Sequence, residues 1–234
     1  MNFPTPLKRV QLIKRYKRFL ADVRSEDGKE FTIHTPNTGS MMGCAEPGMF
    51  IWIRKVDNPR RKYAYTWELS ETAEGVLIGV NTSMANHLVR EAIEQGVVET
   101  LQGYEEIRAE VPYGIERSRI DLLLSDPARG RCYVEVKNVT ARHGTHAIFP
   151  DAVSARGTKH LRELRAMVAD GHRGVIFFCV QRGDVERFRP ADEIDPLYAQ
   201  TLREVVGQGV EALAWGAEIT TEAITLTRPL PVDL

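Results

Sequence analysis

Over roughly the first eighty residues, apolar and polar positions alternate in short bursts, each ending at a turn signal. Phe19-Leu20-Ala21-Asp22-Val23 and Phe31-Thr32-Ile33 flank Asp27-Gly28, the pattern of a β-hairpin. Phe50-Ile51-Trp52-Ile53 predicts a third strand with a basic tail, Arg54-Lys55. Tyr63 to Leu69 alternates as a half-buried strand does, and Val76 to Val80 predicts a fifth. Pro36-Asn37-Thr38-Gly39 and Glu46-Pro47-Gly48 supply turns between them. Five short strands in this span suit a small barrel of the OB-like type.

The period then changes. Ala85, Leu88, Val89, Ala92 and Ile93 fall on one helical face, with Ser83 as N-cap and Gly96 as stop. Strands are expected at Glu106–Val111, Arg119–Leu124 and Arg131–Val136, the last two joined as a hairpin through the turn-rich Ser125 to Gly130. A helix is expected from about Ser154 to Asp170, with Leu161, Leu164 and Met167 inward and Gly171 ending it. Val175 to Val180 is a continuous apolar run, as in a central strand covered on both faces. A helix over Pro196–Val206 and a strand over Val210–Leu213 complete the α/β alternation. The pattern places a domain boundary near residue 81, giving domains 1–81 and 82–234.

The 234 residues, 43% hydrophobic and 27% charged, allow a sizeable core and argue against disorder. The formal net charge of −1 excludes a strong overall basic field, so any nucleic-acid surface must come from uneven charge. Lys8, Arg9, Lys14, Arg15, Lys17 and Arg18 crowd the first twenty residues without an acid among them. Three distant cysteines, Cys44, Cys132 and Cys179, form no CxxC pair, which fits a cytoplasmic protein without disulfides or a cysteine zinc site. No apolar run is long enough to span a membrane.

Candidate chemistry appears on two of the expected strands. Asp121 interrupts the apolar run Ile120 to Leu124, and Glu135 and Lys137 flank Val136. Residues two apart on a strand share a face, so Glu135 and Lys137 point together. With Asp121 beside Glu135, two carboxylates and an amine converge. Close buried carboxylates repel unless a cation lies between them, and Mg²⁺ (or Mn²⁺) needs only one or two protein carboxylates. Such an ion acidifies a water and offsets phosphate charge, while Lys137 holds the water or stabilises developing charge. Glu91, on the upstream helix, is a candidate further metal ligand, and a solvated helix charge is the alternative. Arg156, Lys159 and His160 cluster at the start of the second long helix, where donors suit phosphate. His143, His146 and His160 match no zinc spacing.

At these residues the chain resembles the PD-(D/E)xK nuclease superfamily, with Arg119-Ile120-Asp121 in place of the Pro-Asp. It is also similar to the sugar fermentation stimulation protein A family. The carriers are His34 to Met41, Asn81-Thr82, Asn86, Ser118 to Asp121, Glu135 to Val139, Phe149 to Val153 and Arg156 to Leu161. The resemblance implies an N-terminal OB-like β-barrel and a C-terminal restriction-endonuclease-like α/β domain. It assigns catalytic and metal roles to Asp121, Glu135 and Lys137, and it implies DNA binding linked to expression of sugar (maltose) utilisation genes.

Two functions follow as expectations: a Mg²⁺-dependent DNA endonuclease, or a DNA-binding regulator with a vestigial or secondary nuclease site. A sugar-sensing OB module has only Trp52 and Trp67 behind it. The expected DNA path runs over Arg9, Arg15, Arg18, Arg60 and Arg61 toward Arg156, Lys159 and His160. Such phosphate contacts bind double-stranded DNA with little sequence choice. A homodimer is left open.

Overall fold

Alternation is the rule in the first unit of the computed structural model, which describes residues 1–114 and 118–234. Lys8–Tyr16 (β1), Leu20–Arg24 (β2), Glu30–His34 (β3), Phe50–Lys55 (β4) and Tyr65–Glu71 (β5) lie in the order β3-β2-β1-β4-β5. A parallel pairing of His34 with Thr66 joins β3 to β5 and closes the barrel. Val10, Leu12, Val23, Ile33, Ile53 and Trp67 fill it. Trp67 is fully buried, and its Nε1 donates to the carbonyl of Leu69 at 3.0 Å, so its one polar group is satisfied.

Two expectations change here. The basic N-terminal stretch, to which the sequence pattern assigned no element, is the first barrel strand. Its signal is faint because only Val10 and Leu12 are fully buried, and a register shift between Leu12 and Lys14 breaks the alternation. The strand expected over Val76–Val80 is Leu77–Gly79 (β6), which pairs with β5 and does not belong to the closed ring. It meets the second unit instead, where the Gly79 amide donates to the carbonyl of Gln181 at 2.9 Å. A Cβ on Gly79 would meet the Gln181 side chain, so a larger residue here would have to displace it.

In the second unit Ala85–Glu94 (α1) precedes Glu106–Tyr113 (β7), Ser118–Asp126 (β8) and Gly130–Val139 (β9). Ala141–His143 (β10), His146–Phe149 (β11), Ala155–Ala169 (α2) and Arg173–Val180 (β12) follow. The chain finishes with Arg187–Pro190 (β13), Pro196–Val206 (α3), Glu211–Ile219 (β14) and Ile224–Leu230 (β15). The main sheet has the order β15-β14-β12-β9-β8-β7, with β9, β12 and β14 parallel. Along β12, Val175, Phe177 and Cys179 pack with Leu88, Val89 and Ile93 of α1. Ile176, Phe178 and Val180 pack with Leu161 and Leu164 of α2 and Tyr198 and Leu202 of α3. The central strand is thus buried on both faces, which is why its sequence reads as continuously apolar. A small sheet, β10-β11-β13, lies apart.

Caps fix α2 and α3. Ser154 Oγ accepts from the Gly157 amide, Asp195 Oδ1 accepts from the Tyr198 amide, and Pro196 occupies the first turn of α3. Asp195 Oδ2 also accepts from the Ser154 amide at 2.7 Å, tying the two helix starts together. Within the barrel the buried carboxylate of Glu68 accepts from Arg54 Nε at 2.8 Å and from Asn81 Nδ2 at 2.7 Å, which anchors the last residue before the second unit. The first residues lie on the second unit, where the Phe3 amide donates to the carbonyl of Glu222 at 2.8 Å. Among the described residues no helix is long and apolar enough to cross a membrane.

Candidate active site

The antiparallel ladder between β8 and β9 runs from Asp126–Gly130 to Leu122–Val134, and there it stops. Asp121 is the next residue. Its carboxylate replaces the missing ladder bonds: Oδ2 accepts from the Val136 amide at 2.7 Å and Oδ1 from Asn86 Nδ2 of α1 at 2.8 Å. The other neighbour, β7, is also irregular at this level. Pairing skips from Ala109–Leu122 to Val111–Ile120, and Glu110 between them adopts a φ of 55°. A left-handed non-glycine residue costs on the order of 1 kcal/mol and is commonest near functional sites.

On β9 the alternation separates the chemistry from the core. Cys132, Val134 and Val136 join the cluster under α1, while Glu135 and Lys137 face α2. Glu135 is only 2% exposed. Its Oε1 accepts from Lys137 Nζ at 2.6 Å and contacts Nδ1 of His160. Its Oε2 is buried with no hydrogen-bond partner.

The two carboxyls are electrostatically unequal. Burial, then the charge of Glu135, pushes Asp121 up to about 6. Burial also acts upward on Glu135, but Lys137 and His160 together outweigh it and hold the group below its ordinary value. A divalent cation would relieve both the repulsion at Asp121 and the unpartnered oxygen of Glu135. Among the described residues no three His, Cys, Asp or Glu gather closely enough to hold a metal unaided. The donor set is a carboxylate pair, which suits a hard ion that keeps most of its waters.

These groups lie in a cleft of about 680 Å³ between the two units. The sheet unit contributes Asp121, Glu135, Lys137, Arg119, Arg156, Lys159 and His160, and the barrel contributes Asn37, Thr38 and Gly39. A second groove, which shares Thr38, Gly39 and Arg156 with it, reaches Arg15 and Arg18.

The fold therefore brings together Asp121, Glu135, Lys137, Arg156, Lys159 and His160. Glu91 is elsewhere: its Oε2 pairs with the amino group of Met1 at 2.7 Å. Five residues separate it from Asn86, which turns it roughly 140° around α1. Asn86, a neutral donor, is the α1 side chain that reaches Asp121. Arg15 is engaged internally, with Nη2 donating to the carbonyls of Arg18, Asn37 and Gly39 at 2.8–2.9 Å. It orders the loop that forms the barrel wall. Arg9 binds Glu71 at 2.7 Å and stacks on Phe50, and Arg61 Nη1 donates to Thr66 Oγ1 at 3.1 Å. Neither these two nor the exposed Arg60 lines the cleft. His160 is buried against Glu135 rather than displayed on the helix surface. Asn86 and Arg119 were not singled out for the site from sequence. Both do lie in segments that carry the family resemblance, which gave them no role of their own.

Residues 83–223 match the Sugar fermentation stimulation protein RE domain, and residues 13–80 match the SfsA N-terminal OB domain. The chain belongs to the sugar fermentation stimulation protein family. A sugar fermentation stimulation protein homolog of Geobacter metallireducens is 59% identical over 234 residues, covering 100% of both chains. One of Thioalkalivibrio sulfidiphilus is 58% identical over 235 residues, covering 100% of this chain and 98% of the relative. Among solved structures, Pyrococcus furiosus SfsA in complex with Ca²⁺ superposes with a TM-score of 0.90 at 28% identity, covering 100% of this chain and 98% of that one. The family likeness spans both units, so the OB barrel and the α/β domain are one shared architecture.

Proposed function

We propose that this family member binds DNA in the cleft and hydrolyses phosphodiester bonds with Mg²⁺ or Mn²⁺, in the manner of PD-(D/E)xK nucleases. One observation carries the reading: Asp121 and Glu135 converge where the β8–β9 ladder opens, with Lys137 on the Glu135 face and Glu135 Oε2 buried without a partner. Asp121 and Glu135 would hold the ion, and the Ca²⁺ complex of the Pyrococcus furiosus relative supports a site for hard cations in this fold. When bound, the ion acidifies a water and offsets charge on the phosphate. Lys137 presents an ammonium to the attacked phosphate, already oriented by its bond to Glu135. Arg119, Arg156 and Lys159 add positive charge to the cleft, and Arg156 lies in the first turn of α2, where backbone amides favour anions. Groups of this kind would contact backbone phosphates and not base edges, so duplex DNA is expected to bind with little sequence preference and to be released steeply by salt.

The test is plasmid nicking with and without Mg²⁺ or Mn²⁺, beside Asp121→Ala and Lys137→Ala. Metal-dependent nicking lost in both variants is the expected result. Equal cleavage by wild type and variants would sink the site assignment. DNA binding without cleavage in any metal would favour a regulator of sugar-utilisation genes instead.

A further inference from the structure

His160 is 5% exposed, yet it lies at the wall of the cleft. Its two ring nitrogens have different neighbours. Nε2 is 3.3 Å from Nε of Arg156. A guanidinium nitrogen only donates, so Nε2 accepts and the ring proton resides on Nδ1. Nδ1 therefore donates to Oε1 of Glu135. Lys137 Nζ donates to the same oxygen at 2.6 Å. One carboxylate oxygen thus receives two donors while the other, equally buried, receives none. Two donors from different elements, β9 and α2, prevent the carboxylate from turning. They also occupy the lone pairs of Oε1, so Oε2 alone has open acceptor capacity.

We infer that His160 is a positioning residue that holds Glu135 with Oε2 as the oxygen offered to a divalent cation. Through Nε2 it also ties that carboxylate to Arg156 in the first turn of α2. The inference rests on the metal-dependent reading above and adds a residue to it. His160 acts through Glu135. Orienting partners of this kind set ligand geometry and basicity, and their loss costs metal affinity even though they touch no metal.

The experiment is a calorimetric titration of the full chain with Mn²⁺, without DNA, so that no cleavage is needed for a signal. Wild type is compared with His160→Asn and His160→Leu. The asparagine amide can donate near the Nδ1 position, whereas leucine fills the space without a donor. His160→Leu is expected to weaken Mn²⁺ binding by about tenfold, and His160→Asn by no more than about threefold. Cooperative thermal unfolding of each variant shows that it folds. Should leucine prevent folding, His160→Gln replaces it, because its amide reaches the Nε2 position instead, and it is expected to lose affinity as leucine would. Leucine binding Mn²⁺ like wild type, or asparagine losing as much as leucine, overturns the inference and leaves the metal site standing. Wild type that binds no Mn²⁺ overturns the metal reading and this inference with it.

Discussion

The sheet wall of the cleft carries Asp121, Glu135, Lys137, Arg119 and Arg156, whereas the barrel wall facing it carries Asn37, Thr38 and Gly39. The barrel is not poor in arginine. Three of its arginines are engaged by the barrel itself: Arg9 on Glu71, Arg54 on Glu68, Arg15 on three loop carbonyls. The second unit instead leaves Oε2 of Glu135 and both carboxylate oxygens of Glu163 buried without a donor, and it holds Asp121 raised by burial and then by the charge of Glu135. The contrast shows why charge counted along a sequence locates a binding surface poorly. What matters is which donors and acceptors folding leaves unmatched.

The largest effect should separate the two walls. Lys137→Ala is expected to lower single-turnover DNA cleavage by about 10²–10³-fold, or roughly 3–4 kcal/mol of barrier. Asn37→Ala, on the barrel wall, should change it only a few-fold, because its side chain shapes a loop by accepting from the Gly39 amide at 2.8 Å. Comparable losses in the two variants would break the division between a chemical wall and a shaping wall.

The next effect is on stability and lies wholly in the barrel. Arg54→Met leaves the Glu68 carboxylate, fully buried at its side chain, with only Asn81, and should cost about 3 kcal/mol. Arg24→Met, which removes an ion pair with both partners half exposed, should cost less than about 1 kcal/mol. Urea denaturation of both variants measures the difference, and Mn²⁺ affinity should be unchanged in either. If Arg54→Met weakened Mn²⁺ binding, the two units would not be energetically separate.

Much of this was legible from periodicity. The central strand around Phe177 and Phe178 announced itself by an unbroken apolar run, and α1, α2 and α3 by helical spacing. The N-cap expected at Ser83 is not one: Ser83 lies in a short 3-10 turn capped by Asn81, and Met84, which precedes α1, makes no side-chain cap bond. The first barrel strand was hidden because charges fill its outward positions and the register shift after Leu12 removes the alternation. The short β10, β11 and β13 have too few residues to show a period. At the site, Asp121, Glu135 and Lys137 were readable because charged residues in apolar strands demand partners. Glu91 misled because a search for carboxylates overlooks a neutral amide, and only helical phase places Asn86 opposite Asp121. His160 was read as a surface donor because sequence does not show that Glu135 lies across from it.

The last comparison is between two carboxyls raised by burial, Asp121 in the sheet wall and Glu68 in the barrel. Asp121 moves from an ordinary 3.8 up to about 6. Between those values the folded chain holds a proton that the unfolded chain has released. Stability must therefore fall as pH rises through this window, by roughly 2–3 kcal/mol at most, and level off above it. With chelator present, the pH-dependent decline in urea-unfolding free energy should be shallower in Asp121→Ala than in wild type. Saturating Mg²⁺ at neutral pH should restore wild type by about 2.7 kcal/mol at a hundred times the dissociation constant, and Asp121→Ala by far less. Glu68 provides the control. Arg54 already supplies its cation, so Mg²⁺ has no vacancy to fill there, and the pH dependence it contributes should be the same with metal or without. A decline that Asp121→Ala leaves untouched, or that Mg²⁺ fails to offset, would mean that Asp121 is balanced within the protein as Glu68 is. The two walls would then differ in shape and not in chemistry.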